Sequence, residues 1–227
     1  FDKNLDRLRW VDQINKGRGT STERDALLSK ITATPDYNAL KGCDLIVEAV
    51  FENRELKAKV TKEAEPRLAP DGIFASNTST LPITGLAQAS QHPDRFVGLH
   101  FFSPVEKMQL VEIIVGKATS DTTLAHAFDY VQQIGKTPIV VNDSRGFFTS
   151  RVFGTWVSEG QAMLLEGIPA PVIENAARQA GMPVGPLTLA DELALDTILR
   201  INRQTAADLG EAYARSGVDT VIETLVE

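Results

Sequence analysis

The hydrophobic pattern of this chain changes near its middle, and the change predicts two structural regions. Over residues 20–142, short apolar runs rich in β-branched residues alternate with segments whose apolar positions recur at helical spacing. The predicted strands are Leu45–Val50, Ile73–Ser76, Phe96–Phe102, Leu110–Val115 and Pro138–Val141. The helices predicted between them are Glu52–Leu68, Pro82–Ala89 and Thr122–Ile134, with a turn at Pro70–Gly72. Strands joined by crossover helices indicate an α/β domain with a largely parallel sheet.

The region after Gly146 has helical periodicity only. Its predicted helices are Phe147–Leu165, Pro171–Ala180, Thr188–Leu209 and Val218–Val226. We therefore expect an α/β domain over residues 1–143 and an all-α domain over residues 144–227. This arrangement suggests a cofactor domain joined to a substrate or dimerisation domain.

The first residues leave the α/β pattern incomplete. Apolar residues recur every three positions in Phe1–Gly17, which predicts a helix, and Thr20–Glu23 has the pattern of a capping box that opens a second helix. Gly17-Arg18-Gly19 follows a helix and has no third glycine at the required position, so it is not a dinucleotide fingerprint. If the fold binds a nucleotide, its first strand, glycine turn and helix are expected before Phe1.

Composition narrows the class of protein. The 227 residues carry a net charge of −7, which argues against a non-specific nucleic-acid binder. No apolar run reaches the ~18 residues that a membrane span needs. Cys43 is the single cysteine, and the sequence contains no H-x-x-x-H or C-x-x-C pattern, so we expect neither an internal disulfide nor a metal site.

Polar side chains at predicted strand ends are the candidates for chemistry, because open α/β sheets bind ligands there. His100 ends one strand, and Glu112 lies in the next. A histidine can take a proton from an alcohol near neutral pH, while a carboxylate fixes its tautomer. The spacing alone also allows a core histidine bonded to backbone and a glutamate placed by strand alternation, and by itself it favours that interpretation.

Two other polar groups have alternative interpretations. Ser76–Ser79 could hold a ribose, a nicotinamide or a substrate hydroxyl, but these residue types are also common in ordinary turns and helix caps. Lys57, Lys59 and Lys62 follow a pattern typical of the solvated face of a helix.

Several stretches together resemble the 3-hydroxyacyl-CoA dehydrogenase family over essentially the whole chain. In order, they are Asp44–Glu52, Phe74–Ser79, Arg95–Pro104, Leu110–Ile113, Asn142–Phe148, Gly185–Pro186, Leu189–Asp191 and Leu195–Asp196. Each stretch is weak by itself, but their order and spacing are specific. The resemblance implies a Rossmann-like NAD-binding domain, with its first βα unit upstream, followed by a helical domain that closes the cleft and mediates dimerisation or packing.

The implied reaction is oxidation of an L-3-hydroxyacyl-CoA to a 3-ketoacyl-CoA, with NAD as the hydride acceptor. By resemblance, His100 is the catalytic base, Glu112 is the carboxylate that orients it, and Ser79 binds the substrate oxygen. The resemblance also implies that Glu52, Lys57 and Asn77 line the nicotinamide half of the cofactor site.

Two positions depart from the family pattern. Many relatives have asparagine where this chain has Ser103 and Ser150, two expected substrate-binding positions. A hydroxyl is shorter than an amide but still donates and accepts. We therefore expect altered geometry near the thioester carbonyl, with the reaction type kept.

The resemblance also bears on the parent protein and its partners. The Lys-Gly-Arg-Gly stretch at 16–19 and Asn142–Arg145 resemble the multifunctional β-oxidation alpha subunits more than the stand-alone dehydrogenases. This similarity implies an acyl-CoA substrate, a homodimer or a larger complex with a thiolase, and a bacterial-type cytoplasmic location, with an organellar matrix as the alternative. A stand-alone 3-hydroxybutyryl-CoA dehydrogenase and an inert binding or dimerisation module remain alternative hypotheses.

Overall fold

The computed structural model describes residues 16–17, 19–193 and 195–226. The helix predicted over Phe1–Gly17 lies outside these residues, apart from its last two positions. The capping box at the start of helix α1 (Ser21–Leu28) is confirmed, because the Thr20 hydroxyl accepts from the Glu23 backbone and the Glu23 carboxylate accepts from the Thr20 backbone.

A five-stranded sheet forms the first region. Its strands are β1 (Cys43–Glu48), β2 (Leu68–Ser76), β3 (Phe96–Phe101), β4 (Leu110–Val115) and β5 (Thr137–Asn142), in the spatial order β1-β2-β3-β4-β5. The pairs β1–β2, β2–β3 and β4–β5 are parallel, whereas β3–β4 is antiparallel. The prediction of a largely parallel, Rossmann-like sheet is therefore confirmed. Within the described residues, β1 and β5 form the two edges.

Three α-helices connect these strands: α2 (Arg54–Ala64), α3 (Ile83–Leu86) and α4 (Asp121–Gln133). Short 3-10 segments occur at Tyr37–Leu40, Glu65–Arg67, Ala87–Ala89, Pro93–Arg95 and Gly210–Ala212. The side chains of Asn53 and Ser120 cap α2 and α4, each accepting from the backbone N–H three residues ahead. Buried apolar clusters cover both faces of the sheet, one centred on Phe74, Phe96 and Ile114 and the other on Val97, Leu99 and Ile113.

The turn predicted at Pro70–Gly72 is wrong, because these residues lie inside β2. The register between β1 and β2 shifts from Cys43 opposite Leu68 to Leu45 opposite Ile73, so β2 bulges there. A bulge leaves some residues out of the hydrogen-bonding ladder, and this tolerates Pro70, which has no N–H to donate. A Cβ at Gly72 would lie 3.0 Å from the Cys43 carbonyl oxygen, so the close approach of the strands favours glycine.

The second region is helical, as predicted. It contains α5 (Thr149–Leu165), α6 (Ala170–Gln179), α7 (Pro186–Glu192), α8 (Leu195–Leu209) and α9 (Gly217–Val226). The single helix predicted over Thr188–Leu209 is wrong, since α7 and α8 are separate. They have different packing partners, because α7 lies against α5 while α8 lies against α9. None of the described helices is long and apolar enough to span a membrane.

Candidate active site

His100 and Glu112, hereafter the histidine pair, face each other across the antiparallel strands β3 and β4. His100 Nδ1 lies 2.7 Å from Glu112 Oε2. The two residues are 7% and 0% exposed. The two side chains therefore lie within hydrogen-bonding reach, as expected for a base and the carboxylate that orients it. The sequence pattern did not predict that β3 and β4 are antiparallel. This pairing places His100 and Glu112 directly opposite each other.

Glu112 also binds the start of helix α5. Its Oε1 accepts from the backbone N–H groups of Phe148 at 3.1 Å and Thr149 at 2.8 Å, and its Oε2 accepts from the Thr149 hydroxyl at 2.8 Å. The N-cap residue of α5, Phe148, makes no side-chain capping bond. Glu112 therefore satisfies N–H groups that a helix cannot satisfy internally, and a negative charge is favourable there.

These contacts keep Glu112 ionised. Burial raises the pKa of Glu112, but the hydrogen bonds from His100 and Thr149 outweigh burial, and the net pKa lies below that of an ordinary glutamate. A carboxylate can only accept, so Nδ1 of His100 must be the protonated ring nitrogen. The neutral imidazole then keeps its lone pair on Nε2, where it can act as a base.

Aromatic rings and a strained turn fix the histidine in place. The rings of Phe102 and Phe147 have centroids 4.4 Å and 6.1 Å from that of His100. Phe147 is buried and has a φ of 48°, a left-handed conformation that is uncommon outside glycine. This turn, which begins at Gly146 with a φ of 72°, precedes the two N–H groups that bind Glu112. Strain of this kind clusters at functional sites.

A second carboxylate, Glu52, organises the loop after β2. Its Oε1 accepts from the backbone N–H groups of Ser79 at 3.0 Å and Thr80 at 3.1 Å. The hydroxyls of Thr78, Ser79 and Thr80 donate to the same oxygen. Burial raises the pKa of Glu52, but these hydrogen bonds and the charge of Lys57 lower it below the ordinary value.

Lys57 lies inside the protein, in contact with two glutamates. Its Nζ lies 3.1 Å from Glu48 Oε1, 3.2 Å from the Val50 carbonyl oxygen and 3.4 Å from Glu52 Oε2. The buried Ser76 hydroxyl also donates to Glu48. We call Glu48, Lys57, Glu52 and Ser76 the Lys57 cluster.

The interpretation of Lys57 as part of a solvated helix face is wrong. Lys57 is 1% exposed, whereas the side chain of Lys59 is 71% exposed. The physical reason is that the buried Glu48 carboxylate at the end of β1 requires a counter-charge. The structure brings Lys57 together with Glu52, but it holds the ammonium group out of solvent.

Asn77 connects three strands. Its backbone N–H donates to the Glu48 carbonyl oxygen at 2.8 Å, and its side-chain oxygen accepts from the Phe101 N–H at 2.9 Å. Through its backbone and its side chain, Asn77 therefore fixes the ends of β1, β2 and β3 relative to one another, beside the strand end that holds His100.

The two serines that depart from the family pattern lie in different environments. Ser150, in the first turn of α5, donates from its hydroxyl to the Ser79 carbonyl oxygen at 3.3 Å. The expected substrate positions Ser79 and Ser150 are thus brought together. Ser103 is exposed and lies in the loop beyond β3.

Sequence reasoning missed two residues that hold this site together. Thr149 binds Glu112 twice, and Asp143 accepts from the backbone N–H groups of Ile83 and Thr84 at 2.8 Å each. Glu48 was expected at a strand end, but its pairing with Lys57 was not foreseen. One signal was available for Thr149. A long helix that begins at Phe148 without a capping side chain indicates that another element supplies the acceptor.

Ion pairs join the two regions near the site. Asp208 of α8 binds Arg54 at the start of α2, at 3.2 Å, and also binds Arg145. Burial, followed by the charge of Arg54, lowers the pKa of Arg145. The Arg54–Asp208 ion pair attaches the helical region to α2, and the Glu112–Thr149 bonds attach it to β4.

Comparison with known proteins identifies this arrangement. The sequence model described as "3-hydroxyacyl-CoA dehydrogenase, NAD binding domain" matches residues 2–144, and the model described as "3-hydroxyacyl-CoA dehydrogenase, C-terminal domain" matches residues 146–227. The chain therefore belongs to the 3-hydroxyacyl-CoA dehydrogenase family, a family of NAD-dependent oxidoreductases.

Individual relatives agree with this assignment. The fatty acid oxidation complex subunit alpha of Shewanella amazonensis is 43% identical over 200 residues, which are 88% of this chain and 28% of that protein. The solved (S)-3-hydroxybutyryl-CoA dehydrogenase from Ralstonia eutropha superposes with a TM-score of 0.87 at 33% identity, covering 97% of this chain and 78% of that chain. The 3-hydroxybutyryl-CoA dehydrogenase from Escherichia coli K12 gives a TM-score of 0.83 at 30% identity, covering 90% and 44%.

Proposed function

We propose that this protein oxidises the C3 hydroxyl of an L-3-hydroxyacyl-CoA to a ketone, with NAD as the hydride acceptor. The observation that carries the proposal is the buried histidine pair, found in a member of this family. A neutral imidazole with its Nδ1 proton held by a carboxylate is suited to accept a proton from an alcohol at Nε2.

The proposed step breaks two bonds of the substrate, the O–H bond of the C3 hydroxyl and the C3–H bond. His100 Nε2 takes the proton of the C3 hydroxyl, while the C3–H bond breaks and its electron pair leaves as hydride. The oxygen then forms a double bond to C3. Glu112 stabilises the imidazolium that results, because its carboxylate lies 2.7 Å from Nδ1. NAD supplies the electrophilic ring that receives the hydride.

The residues present fit such a cofactor. Glu52, Asn77 and Ser79 carry carboxylate, amide and hydroxyl groups at the carboxyl ends of β1 and β2, where open α/β sheets bind their ligands. Hydrogen-bonding groups of these types suit a ribose and a carboxamide. We propose that Glu52 and Asn77 line the nicotinamide half of the site. Lys57 would contribute through its ion pair with Glu52, since its own ammonium group is buried.

Three serines are proposed to bind the substrate. Ser79, in the loop after β2, is proposed to bond the C3 oxygen, and Ser103 and Ser150 stand where many relatives have asparagine. Ser150 is supported by its contact with Ser79, at 3.3 Å from the carbonyl oxygen. Ser103 rests on the sequence pattern alone.

We further propose that residues 1–143 form the NAD-binding domain and residues 144–227 the substrate and dimerisation domain. Two observations support this boundary, namely the end of β5 at Asn142 and the start of α5 at Thr149. Thr149 and Ser150 belong to the helical domain but bond Glu112 and Ser79 of the NAD-binding domain, so both domains contribute residues to the site.

The parent protein is proposed to be a multifunctional alpha subunit of fatty-acid oxidation. The 43% identity to the Shewanella subunit exceeds the 33% and 30% identities to the two 3-hydroxybutyryl-CoA dehydrogenases. The chain spans 28% of the length of that subunit, so further domains and a thiolase partner or a homodimer belong to this proposal. The bacterial origin of these relatives supports a cytoplasmic location.

A direct test is NADH formation by the protein at its full natural length, with L-3-hydroxyacyl-CoA substrates of increasing acyl length. We expect turnover with NAD and a preference for chains longer than four carbons. Turnover confined to the four-carbon substrate would favour the stand-alone 3-hydroxybutyryl-CoA dehydrogenase. Binding of acyl-CoA without turnover on any substrate would favour the inert binding module.

A further inference from the structure

The contacts of Glu112 reveal an asymmetry between its two oxygens. Oε1 accepts from two backbone N–H groups, those of Phe148 and Thr149. Oε2 accepts from two side chains, His100 Nδ1 at 2.7 Å and the Thr149 hydroxyl at 2.8 Å. The oxygen that binds the histidine is therefore shared with one hydroxyl from the helical domain. Any side chain at position 149 would provide the backbone N–H, but only a hydroxyl residue provides the second donor to Oε2.

We propose that Thr149 is a positioning residue for the histidine pair, whose hydroxyl fixes the plane of the Glu112 carboxylate and moderates its attraction for the His100 imidazolium. The proposal rests on the proposed function, in which His100 is the base, and it deepens that function by assigning a residue of the helical domain to the tuning of the base.

The electrostatic consequence has a definite sign. A hydrogen bond to a carboxylate stabilises its charge, and the Thr149 hydroxyl is among the contacts that lower the pKa of Glu112. Without that donor, the negative charge on Oε2 is stabilised by the histidine alone. The carboxylate then attracts the imidazolium more strongly, which should move the acid limb of the pH profile upward.

The groups around Glu112 leave few other sources for such a change. His100 on β3 is the titratable group in contact with it. From α5 it meets the neutral donors of Phe148 and Thr149, and on β5 the residue in register with it is Ile139. A change in the pH profile after substitution of Thr149 is therefore attributable to the lost hydroxyl.

The test compares Thr149→Val, which has the same shape without the hydroxyl, with Thr149→Ser, which keeps the hydroxyl. Thr155→Val is the matched control, because Thr155 lies on the same helix and, among the described residues, its hydroxyl bonds only the Arg151 carbonyl oxygen, at 3.0 Å. All variants are made in the protein at its full natural length, and thermal melts establish that they fold.

We expect Thr149→Val to move the acid limb of the pH profile of kcat/KM upward by roughly half a unit to one unit. Its kcat should fall roughly 2- to 10-fold, as for loss of one ordinary hydrogen bond, with KM nearly unchanged. Thr149→Ser and Thr155→Val should keep the normal profile. An acid limb that stays in place or moves downward in Thr149→Val would overturn the proposal, as would equal effects of Thr149→Ser and Thr149→Val.

A second measurement does not depend on activity. Carbon-13 NMR of the glutamate carboxyl groups, with the Glu112 signal assigned through Glu112→Gln, reports ionisation of Glu112 directly. In Thr149→Val its pKa should rise toward the ordinary glutamate value. If the protein has no dehydrogenase activity, the proposed function fails while this measurement still tests Thr149. If Thr149→Val does not fold, Thr149→Ala, which adds no larger group, serves the same comparison.

Discussion

The Lys57 cluster and the histidine pair each contain two buried titratable side chains beside one sheet, yet their contacts differ in one respect. In the Lys57 cluster, the ammonium group is engaged by Glu48, the Val50 carbonyl and Glu52. In the histidine pair, Nδ1 is engaged, but Nε2 accepts no hydrogen bond from the described residues. A buried ion pair whose groups are all engaged serves structure, whereas a buried base with one nitrogen available can do chemistry.

The two sites also differ in what supports them. Every member of the Lys57 cluster belongs to the α/β region, between β1 and β2. The histidine pair is completed by Phe148 and Thr149 at the start of α5. Loss of the Lys57 cluster should therefore damage folding of the first domain, while a change in how the helical domain docks should alter activity first.

The largest expected effect is on turnover. His100→Gln keeps a polar side chain of similar reach but removes the base, so kcat should fall roughly 10²- to 10⁴-fold with little change in substrate binding. His126→Gln is the matched control, because His126 is exposed on α4. Steady-state kinetics of both variants are compared with the natural protein. A near-normal kcat for His100→Gln would mean that the proton leaves by another route.

The converse prediction concerns the Lys57 cluster. Lys57→Met leaves the Glu48 carboxylate buried without its partner, and breaking a buried ion pair on one side costs about 3–5 kcal/mol of the free energy of unfolding. Lys59→Met, on the exposed face of the same helix, should change that free energy by less than about 0.5 kcal/mol. Urea denaturation measures both variants. Equal stabilities of the two would show that Lys57 is not required for folding.

Acid should weaken the junction between the domains at Glu112 and the loop after β2 at Glu52. The pKa values of Glu112 and Glu52 are lowered in the folded protein relative to the ordinary value of 4.5. Their contribution to stability is thus fully present above pH 4.5 and is lost as the pH falls below it. For Glu112, which is fully buried, each unit by which the pKa is lowered corresponds to about 1.4 kcal/mol, whereas solvent screening reduces the contribution of the exposed Glu52.

Urea denaturation between neutral pH and pH 3 measures this loss. Glu112→Gln cannot ionise at that position, so its stability should fall less steeply with acid than that of the natural protein. Parallel curves for the two proteins would contradict the assignment of Glu112 as a carboxylate that favours the folded state.

The sequence predicted the elements of the fold better than their connections. Periodicity located β3 and β4 to within a residue because both strands are short, almost continuously buried and mostly apolar runs, which leave a strong pattern. It failed at Pro70–Gly72, where a bulge holds residues that favour turns inside a strand, and at α7 and α8, where packing partners decide the break. Both the bulge and the helix break depend on tertiary contacts, so the local sequence pattern does not predict them.

The same distinction explains the site. His100 and Glu112 stood out because polar residues within apolar strands are rare and informative. Lys57 was misplaced when judged from the helix alone, because its burial depends on Glu48, nine residues earlier in the sequence. Thr149 contacts Glu112 from 37 positions away, a distance that no local pattern spans.

The smallest expected effect is on stability, and it concerns a third carboxylate that binds the start of a helix. Glu174 of α6 accepts from the backbone N–H groups of Leu187 at 2.9 Å and Thr188 at 3.3 Å, and from the Thr188 hydroxyl at 2.6 Å. It therefore binds the start of α7 as Glu112 binds the start of α5. No histidine accompanies it in the helical region, since the three histidines of the chain are His92, His100 and His126.

A comparison of Glu174 with Glu112 thus separates the effect of capping a helix from the effect of orienting a histidine. Burial raises the pKa of Glu174, but the bonds from Thr188 and Leu187 lower it below the ordinary value, so the group is a charged acceptor. Glu174→Gln should lower the free energy of unfolding by about 1 kcal/mol, the usual effect of losing a helix cap, and leave kcat unchanged. Glu166→Gln, at an exposed position after α5, is the control and should change neither quantity. Urea denaturation and steady-state kinetics are measured on the same samples. If Glu174→Gln lowered kcat as much as Glu112→Gln does, the effect of Glu112 would follow from capping alone, and its role in orienting His100 would be refuted.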